Sequence, residues 1–138
     1  QVLVFTRTKI GASRLASYLD RRGVPAIAIH SDRTQGERTR ALAAFKAGEV
    51  VALVATDVAS RGLDIDSLPY VVNYELPFEA QDYIHRIGRT GRAGASGTAI
   101  SLVAPEEVQA LRSIQRLLKK AIPCEVVESF LPAGASAA

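Results

Sequence analysis

Methionine and tryptophan are both missing from this 138-residue chain, and cysteine occurs once. The lone Cys124 excludes an internal disulfide and any cysteine-built metal cluster, and it fits a reducing, cytoplasmic setting. With Gln1 in first place, the sequence is expected to be a piece of a longer chain. No apolar run approaches the roughly 20 residues that cross a bilayer, and no signal peptide is visible, so no membrane partner is expected. Aromatic residues are scarce, four Phe and four Tyr, and few fall in polar stretches. Base stacking is therefore a poor way for this chain to bind nucleic acid. The G-x-x-x-x-G-K-[ST] phosphate loop is absent, so the chain holds no complete site of that type.

The net charge of +3 is mild, but 13 of the 17 basic residues are arginine. The planar guanidinium fork matches phosphate oxygens in two-point contact. A GC-rich coding bias produces the same composition, so composition alone does not decide. A hydrophobic fraction of 48% over this length suits one packed domain. Short continuous apolar runs at Val2–Phe5, Ala26–Ile29, Val50–Ala55, Tyr70–Val72 and Thr98–Val103 read as strands buried on both faces. Helical stretches lie between them. Lys9–Arg22 carries Leu15, Tyr18 and Leu19 on one side and is stopped by Gly23 and Pro25. Thr34 and Glu37 form a capping box for a helix to about Ala47, with Ala41, Leu42 and Phe45 inward. A third helix runs from Glu79 towards Ile87. A fourth runs from Pro105 to Lys120 with Val108, Leu111, Ile114 and Leu118 as its stripe. Alternating strands and helices predict an α/β fold, a mostly parallel sheet covered by helices on both faces. One domain is expected over residues 1–131, with 132–138 as a flexible tail.

Polar clusters fall where such sheets place their functional loops, at the carboxyl ends of strands. The strongest is His85-Arg86-Ile87-Gly88-Arg89-Thr90-Gly91-Arg92. Its arginines recur every three residues, which brings like charges together on helical backbone, and its glycines weaken a helix by about 1 kcal/mol each. Both penalties at once suggest an anion such as phosphate nearby. The second cluster is Thr56-Asp57-Val58-Ala59-Ser60-Arg61-Gly62-Leu63-Asp64-Ile65. By itself, Thr56-Asp57 after a strand reads as a helix cap. The third is Gln35-Gly36-Glu37-Arg38, where Gln35 and Arg38 share one face of a helix start, a favourable place for phosphate. The fourth is Val4-Phe5-Thr6-Arg7-Thr8, in which Phe5 reads as packing and Thr8 as a cap, an RNA contact, or both.

These four strings, in this order, resemble motifs VI, V, IVa and IV of the DEAD-box RNA helicases. The resemblance covers the chain from Val2 to about Phe130. Glu75 in Asn73-Tyr74-Glu75-Leu76-Pro77, where aspartate is commoner, is similar to the bacterial RhlE-like branch. Ser31 stands where many relatives carry glycine. The resemblance implies a RecA-like three-layer fold. It implies that Arg89 and Arg92 meet the γ-phosphate of ATP held by another domain, with Arg92 as the arginine finger and His85 coupling the nucleotide to the site. Asp64 would contact the ATP ribose, Gly62 would allow close backbone approach, and Arg61 would pair with acidic residues across the cleft. Thr56, Gln35, Arg38, Thr8 and Arg7 would hold the RNA backbone. The phosphate loop and the Asp-Glu-Ala-Asp run that holds Mg²⁺ would belong to an N-terminal RecA-like domain of the same polypeptide, and no metal ligand is expected here. The chain would then be half of an RNA-stimulated ATPase and local unwinding enzyme, inactive as an ATPase alone. An ATP-independent RNA- or protein-binding module is the rival reading. A DNA motor half is a third, disfavoured by the TDVASRGLDI string.

Overall fold

A computed structural model of the chain describes residues 1–63, 65, 67–90 and 97–126. The strands β1 (Val2–Thr6), β2 (Ala26–Ile29), β3 (Ala52–Thr56), β4 (Tyr70–Asn73) and β5 (Thr98–Ser101) form one sheet in the order β2-β3-β1-β4-β5. Every pairing among them is parallel, with Val4 between Val54 and Val72. Helices α1 (Lys9–Arg21), α2 (Gln35–Lys46), α3 (Asp57–Ser60), α4 (Ala80–Ile87) and α5 (Val108–Leu118) connect or follow the strands. This is the RecA-like α/β fold expected from the sequence.

Side chains alternate across a strand, and the core divides accordingly. Leu3, Phe5, Leu53 and Ala55 face Ala41 and Phe45 of α2. Val4, Ala28, Ala52 and Val54 face Ala12 and Ala16 of α1. β3 is buried at all five positions, as a continuous apolar run in a central strand requires. The capping box of α2 forms as the sequence predicts, with Glu37 N–H donating to Thr34 Oγ1 at 3.1 Å and Thr34 N–H to Glu37 Oε1 at 2.9 Å. That backbone donor holds the Glu37 carboxyl below its ordinary value. Gly23 ends α1 with φ +86°, the left-handed turn that favours glycine.

Several boundaries and faces differ from the sequence reading. In α1 the buried residues are Ala12 and Ala16, and Tyr18 is 47% exposed. Two alanines four apart let the helix lie close on the sheet and turn Tyr18 outward. The last helix begins as a 3-10 turn over Pro105–Glu107, and Val108 is exposed rather than part of the stripe. β5 ends at Ser101, earlier than the apolar run suggests, with Leu102 N–H making the last bond to β4 at Asn73 O. The expected tail, 132–138, lies outside the described residues.

Candidate functional site

Parallel strands bring the sequence clusters to one edge of the sheet. Arg7 and Thr8 follow β1, His30 follows β2, Thr56 ends β3 and Asn73 ends β4. Thr8 caps α1, its Oγ1 accepting the Gly11 N–H at 3.0 Å. A Cβ on Gly11 would sit 2.9 Å from that oxygen, so the cap requires glycine there. Gln35 is exposed at the first turn of α2. Arg38, one turn on, reaches across to α3, donating from Nη2 to Ala59 O at 3.1 Å. Its guanidinium also lies 3.9 Å from where a Cβ on Gly62 would stand. Residues of the third and second clusters therefore meet. Thr56 is the N-cap of the four-residue α3, as its place after a strand suggests, but its side chain makes no cap bond. Thr56 is buried, 7% exposed, beside Asp57.

His30 organises the loop before α2. Its Nδ1 accepts the Asp32 N–H at 3.3 Å, and its Nε2 lies 2.9 Å from Ser13 Oγ on α1. A neutral imidazole has one acceptor and one donor nitrogen, so the proton sits on Nε2 and Ser13 Oγ accepts it. Burial, and next the Arg33 charge, push the His30 pKa below its ordinary 6.5. Arg33 and Arg38 each keep a buried Nε without a hydrogen-bond partner.

The arginines of the strongest cluster behave differently. Arg86 is 1% exposed. It donates to both Asp57 oxygens at 2.6 and 2.8 Å, to Asn73 Oδ1 at 3.1 Å and to Glu75 O at 2.6 Å. Its guanidinium stacks 5.0 Å from the Phe5 ring centre. Asn73 in turn donates to Ser101 Oγ at 2.9 Å. Arg86 thus joins α4 to the ends of β3 and β4. Arg89 donates to the carbonyls of Leu63, Ile65 and Ser60 at 3.0, 3.1 and 2.8 Å. It holds the turn that carries the second cluster. His85 is 61% exposed, with Nδ1 3.5 Å from Asp82 Oδ1. The same Asp82 oxygen accepts from Arg61 Nη2 at 2.9 Å, so the acidic partner Arg61 meets here belongs to this domain. Arg92 and Asp64 lie outside the described residues.

Arg7 is also committed internally. Its Nε donates to Leu76 O at 2.5 Å and its Nη2 to Glu107 Oε2 at 3.1 Å, with the Phe78 ring 4.8 Å away. Glu75, given no role from the sequence, accepts the Arg7 N–H at 3.1 Å. Sequence reasoning misses Asp57, Asn73 and Asp82 as site partners. One signal is available: Asn73 is an amide closing an otherwise apolar strand. At the turn after α3, Arg61, Arg89 and the exposed Gly62 backbone are the kind of donors that hold phosphate. Among the described residues no group of three or more His, Cys, Asp or Glu is placed to hold a metal ion.

The helicase conserved C-terminal domain profile matches residues 1–94. The chain is 48% identical over 127 residues to the ATP-dependent rRNA helicase RRP3 of Candida glabrata, covering 92% of this chain and 26% of that protein. It spans about a quarter of the length of such curated relatives. It superposes on E. coli DEAD-box protein SrmB, solved bound to regulator of ribonuclease activity A, with TM-score 0.90 and 36% identity, covering 99% of this chain and 80% of that one. A DEAD box protein from Methanococcus jannaschii gives TM-score 0.82 and 46% identity, over 86% of this chain and 33% of that one.

Proposed function

Because the chain belongs to the helicase conserved C-terminal domain family, in its DEAD-box branch, we propose that it is the second half of an ATP-dependent RNA helicase. Its work is done against an N-terminal RecA-like domain of the same polypeptide. Bound ATP would supply the phosphoryl group for hydrolysis, with Mg²⁺ held by that first domain. On this chain, Arg89 and Arg92 face the γ-phosphate, Arg92 as the finger. Asp64 and Gly62 meet the nucleoside side, and Arg61 and His85 line the cleft around Asp82. Thr56, Gln35, Arg38, Thr8 and Arg7 hold the RNA backbone, reading phosphate and sugar rather than sequence.

The observation that carries this reading is the meeting of α2, α3 and α4 at one edge of the sheet. Arg38 touches α3 at Ala59, and Arg89 holds the turn that leaves it. An RNA-side arginine and a nucleotide-side arginine would thus hold adjacent carbonyls, Ala59 and Ser60, at the end of α3. Arg89 reaches a phosphate only by exchanging carbonyl partners, so its contact depends on the shape of that turn. RNA binding through Arg38 and Thr56 shifts the same turn, which gives RNA stimulation a structural route. Closing the two domains on bent RNA pulls a short duplex apart locally, and hydrolysis reopens them.

Alone, the chain hydrolyses no ATP. Joined to its first domain, it gives RNA-stimulated turnover. Arg92→Ala in the joined enzyme lowers turnover about 10³-fold or more while ATP binding stays nearly intact. Unchanged turnover in that variant sinks the finger assignment. RNA affinity that persists without any ATPase in the joined enzyme favours an ATP-independent binding module instead.

A further inference from the structure

α1 covers β2, β3 and β1 on its face of the sheet, and beside it a groove of about 880 Å³ opens between α1 and the residues after β4. Gly11, Arg14, Tyr18 and Arg21 line it from the helix, Tyr74 and Glu75 from the strand end, and Thr8 stands at its head. The volume falls in the usual range for ligand sites, roughly 300–1,000 Å³. From Gly11 to Arg21 the helix rises about 15 Å, room for several nucleotides in a row. Scarce aromatics in the sequence argue against base stacking. The fold nevertheless places two tyrosines in this one groove, from positions far apart in the chain. Tyr18 is 47% and Tyr74 45% exposed. The Arg22 guanidinium lies 4.6 Å from the Tyr18 ring centre, over one face of the ring. The charge is complementary to a polyanion. Arg14 and Arg21 are exposed, and the single carboxylate, Glu75, already accepts the Arg7 N–H.

We propose that this groove is a second single-stranded RNA subsite, continuous with the backbone site at Thr8. Tyr18 and Tyr74 stack bases, and Arg14 and Arg21 hold the phosphates between them. It rests on the RNA-helicase reading and extends it: the strand leaving Thr8 follows α1 rather than running into solvent. Stacking of this kind tolerates any base, so the subsite lengthens the footprint without adding sequence preference.

The test uses the full polypeptide that carries this domain and fluorescein-labelled oligouridines of about 6 and about 14 nucleotides, within the range of single-strand site sizes. The longer probe binds more tightly. Tyr18→Ala and Tyr74→Ala each lower its affinity about tenfold, leave the shorter probe unchanged, and are rescued by Tyr18→Phe and Tyr74→Phe. Replacing Arg14 and Arg21 with Gln lowers the salt slope of the longer probe by about 1.4. Equal affinities for the two probes, or a length effect that survives loss of both rings, overturn the subsite. Loss of polyglutamate binding in the Arg14 and Arg21 variants, with the length effect intact, also overturns it and reassigns the groove to an acidic protein partner. Gln35→Ala and Arg38→Ala keep the two readings apart. If they leave the shorter probe unaffected, or if the unsubstituted protein binds neither probe, the backbone site itself falls and the subsite with it.

Discussion

The start of α2 with the loop leading into it, and the segment that carries α4, both present arginines at the carboxyl edge of the sheet, and they use them differently. Around α4, Arg86 and Arg89 spend their donors on the protein: a carboxylate, an amide and four carbonyls. Around α2, Arg33 donates to Glu37 Oε2 at 3.4 Å and Arg38 makes one bond to Ala59, while each keeps a buried Nε with no partner. Stacked arginines imply an anion, and near α4 the anion is internal. Asp57 supplies it to Arg86. A cationic run in a sequence is therefore no measure of how much of its charge faces a ligand.

The largest effect should come from Arg86→Ala, which strands Asp57 beside a buried polar cluster. Breaking a buried pair costs about 3–5 kcal/mol, read as a lower urea midpoint. Arg86→Lys keeps the charge but loses the two-point geometry and should fall between. A loss below about 1 kcal/mol in Arg86→Ala would erase the contrast. Arg89→Ala comes next. It leaves three carbonyls without their donor, worth about 1–3 kcal/mol, with faster amide exchange confined to residues near the turn after α3. Exchange spread evenly over the sheet would show that Arg89 does not hold that turn.

Much of this architecture is legible in the sequence, for physical reasons. The strands announce themselves because a strand buried on both faces needs an unbroken apolar run, as Ala52–Thr56 provides. The α2 cap is legible because Thr34 and Glu37 satisfy each other's backbone groups locally. Position of the clusters follows from the parallel sheet alone. Partners are not legible. Arg86 pairs with Asp57, 29 residues away, and no local pattern encodes a contact made only when α4 packs beside β4 and α5 and its arginine reaches past the end of β3. The spacing of Tyr18 fits an inward stripe, yet Ala12 and Ala16 are the residues buried. Their smallness decides which way α1 faces, and a search for large apolar side chains passes over it.

Acidity should separate the two regions further. His30 is held neutral by burial, then by Arg33, so its folded pKa lies below the unfolded 6.5. The unfolded chain then binds more protons in that window. The stability linked to His30 is complete above 6.5 and is lost as pH falls towards the folded value. Protonation also removes the acceptor for the Asp32 N–H. Imidazole titration by NMR, with loss of Asp32 amide protection on acidification, checks this. A His30 midpoint at or above 6.5 contradicts it.

Arg38→Ala should have the smallest effect on folding and the most revealing one on binding. Its single bond to a backbone carbonyl is worth about 0.5–1.5 kcal/mol at most, and the residue is only partly buried. RNA affinity should fall uniformly across sequences, and the salt slope should drop by about 0.7, the share of one phosphate on a single strand. Arg86→Ala, compared where it still folds, should leave that slope alone, because its guanidinium never faces solvent. If Arg86→Ala lowered the slope and Arg38→Ala did not, the two regions would have to exchange roles. The ligand-facing charge would then lie on α4, and the start of α2 would be the brace.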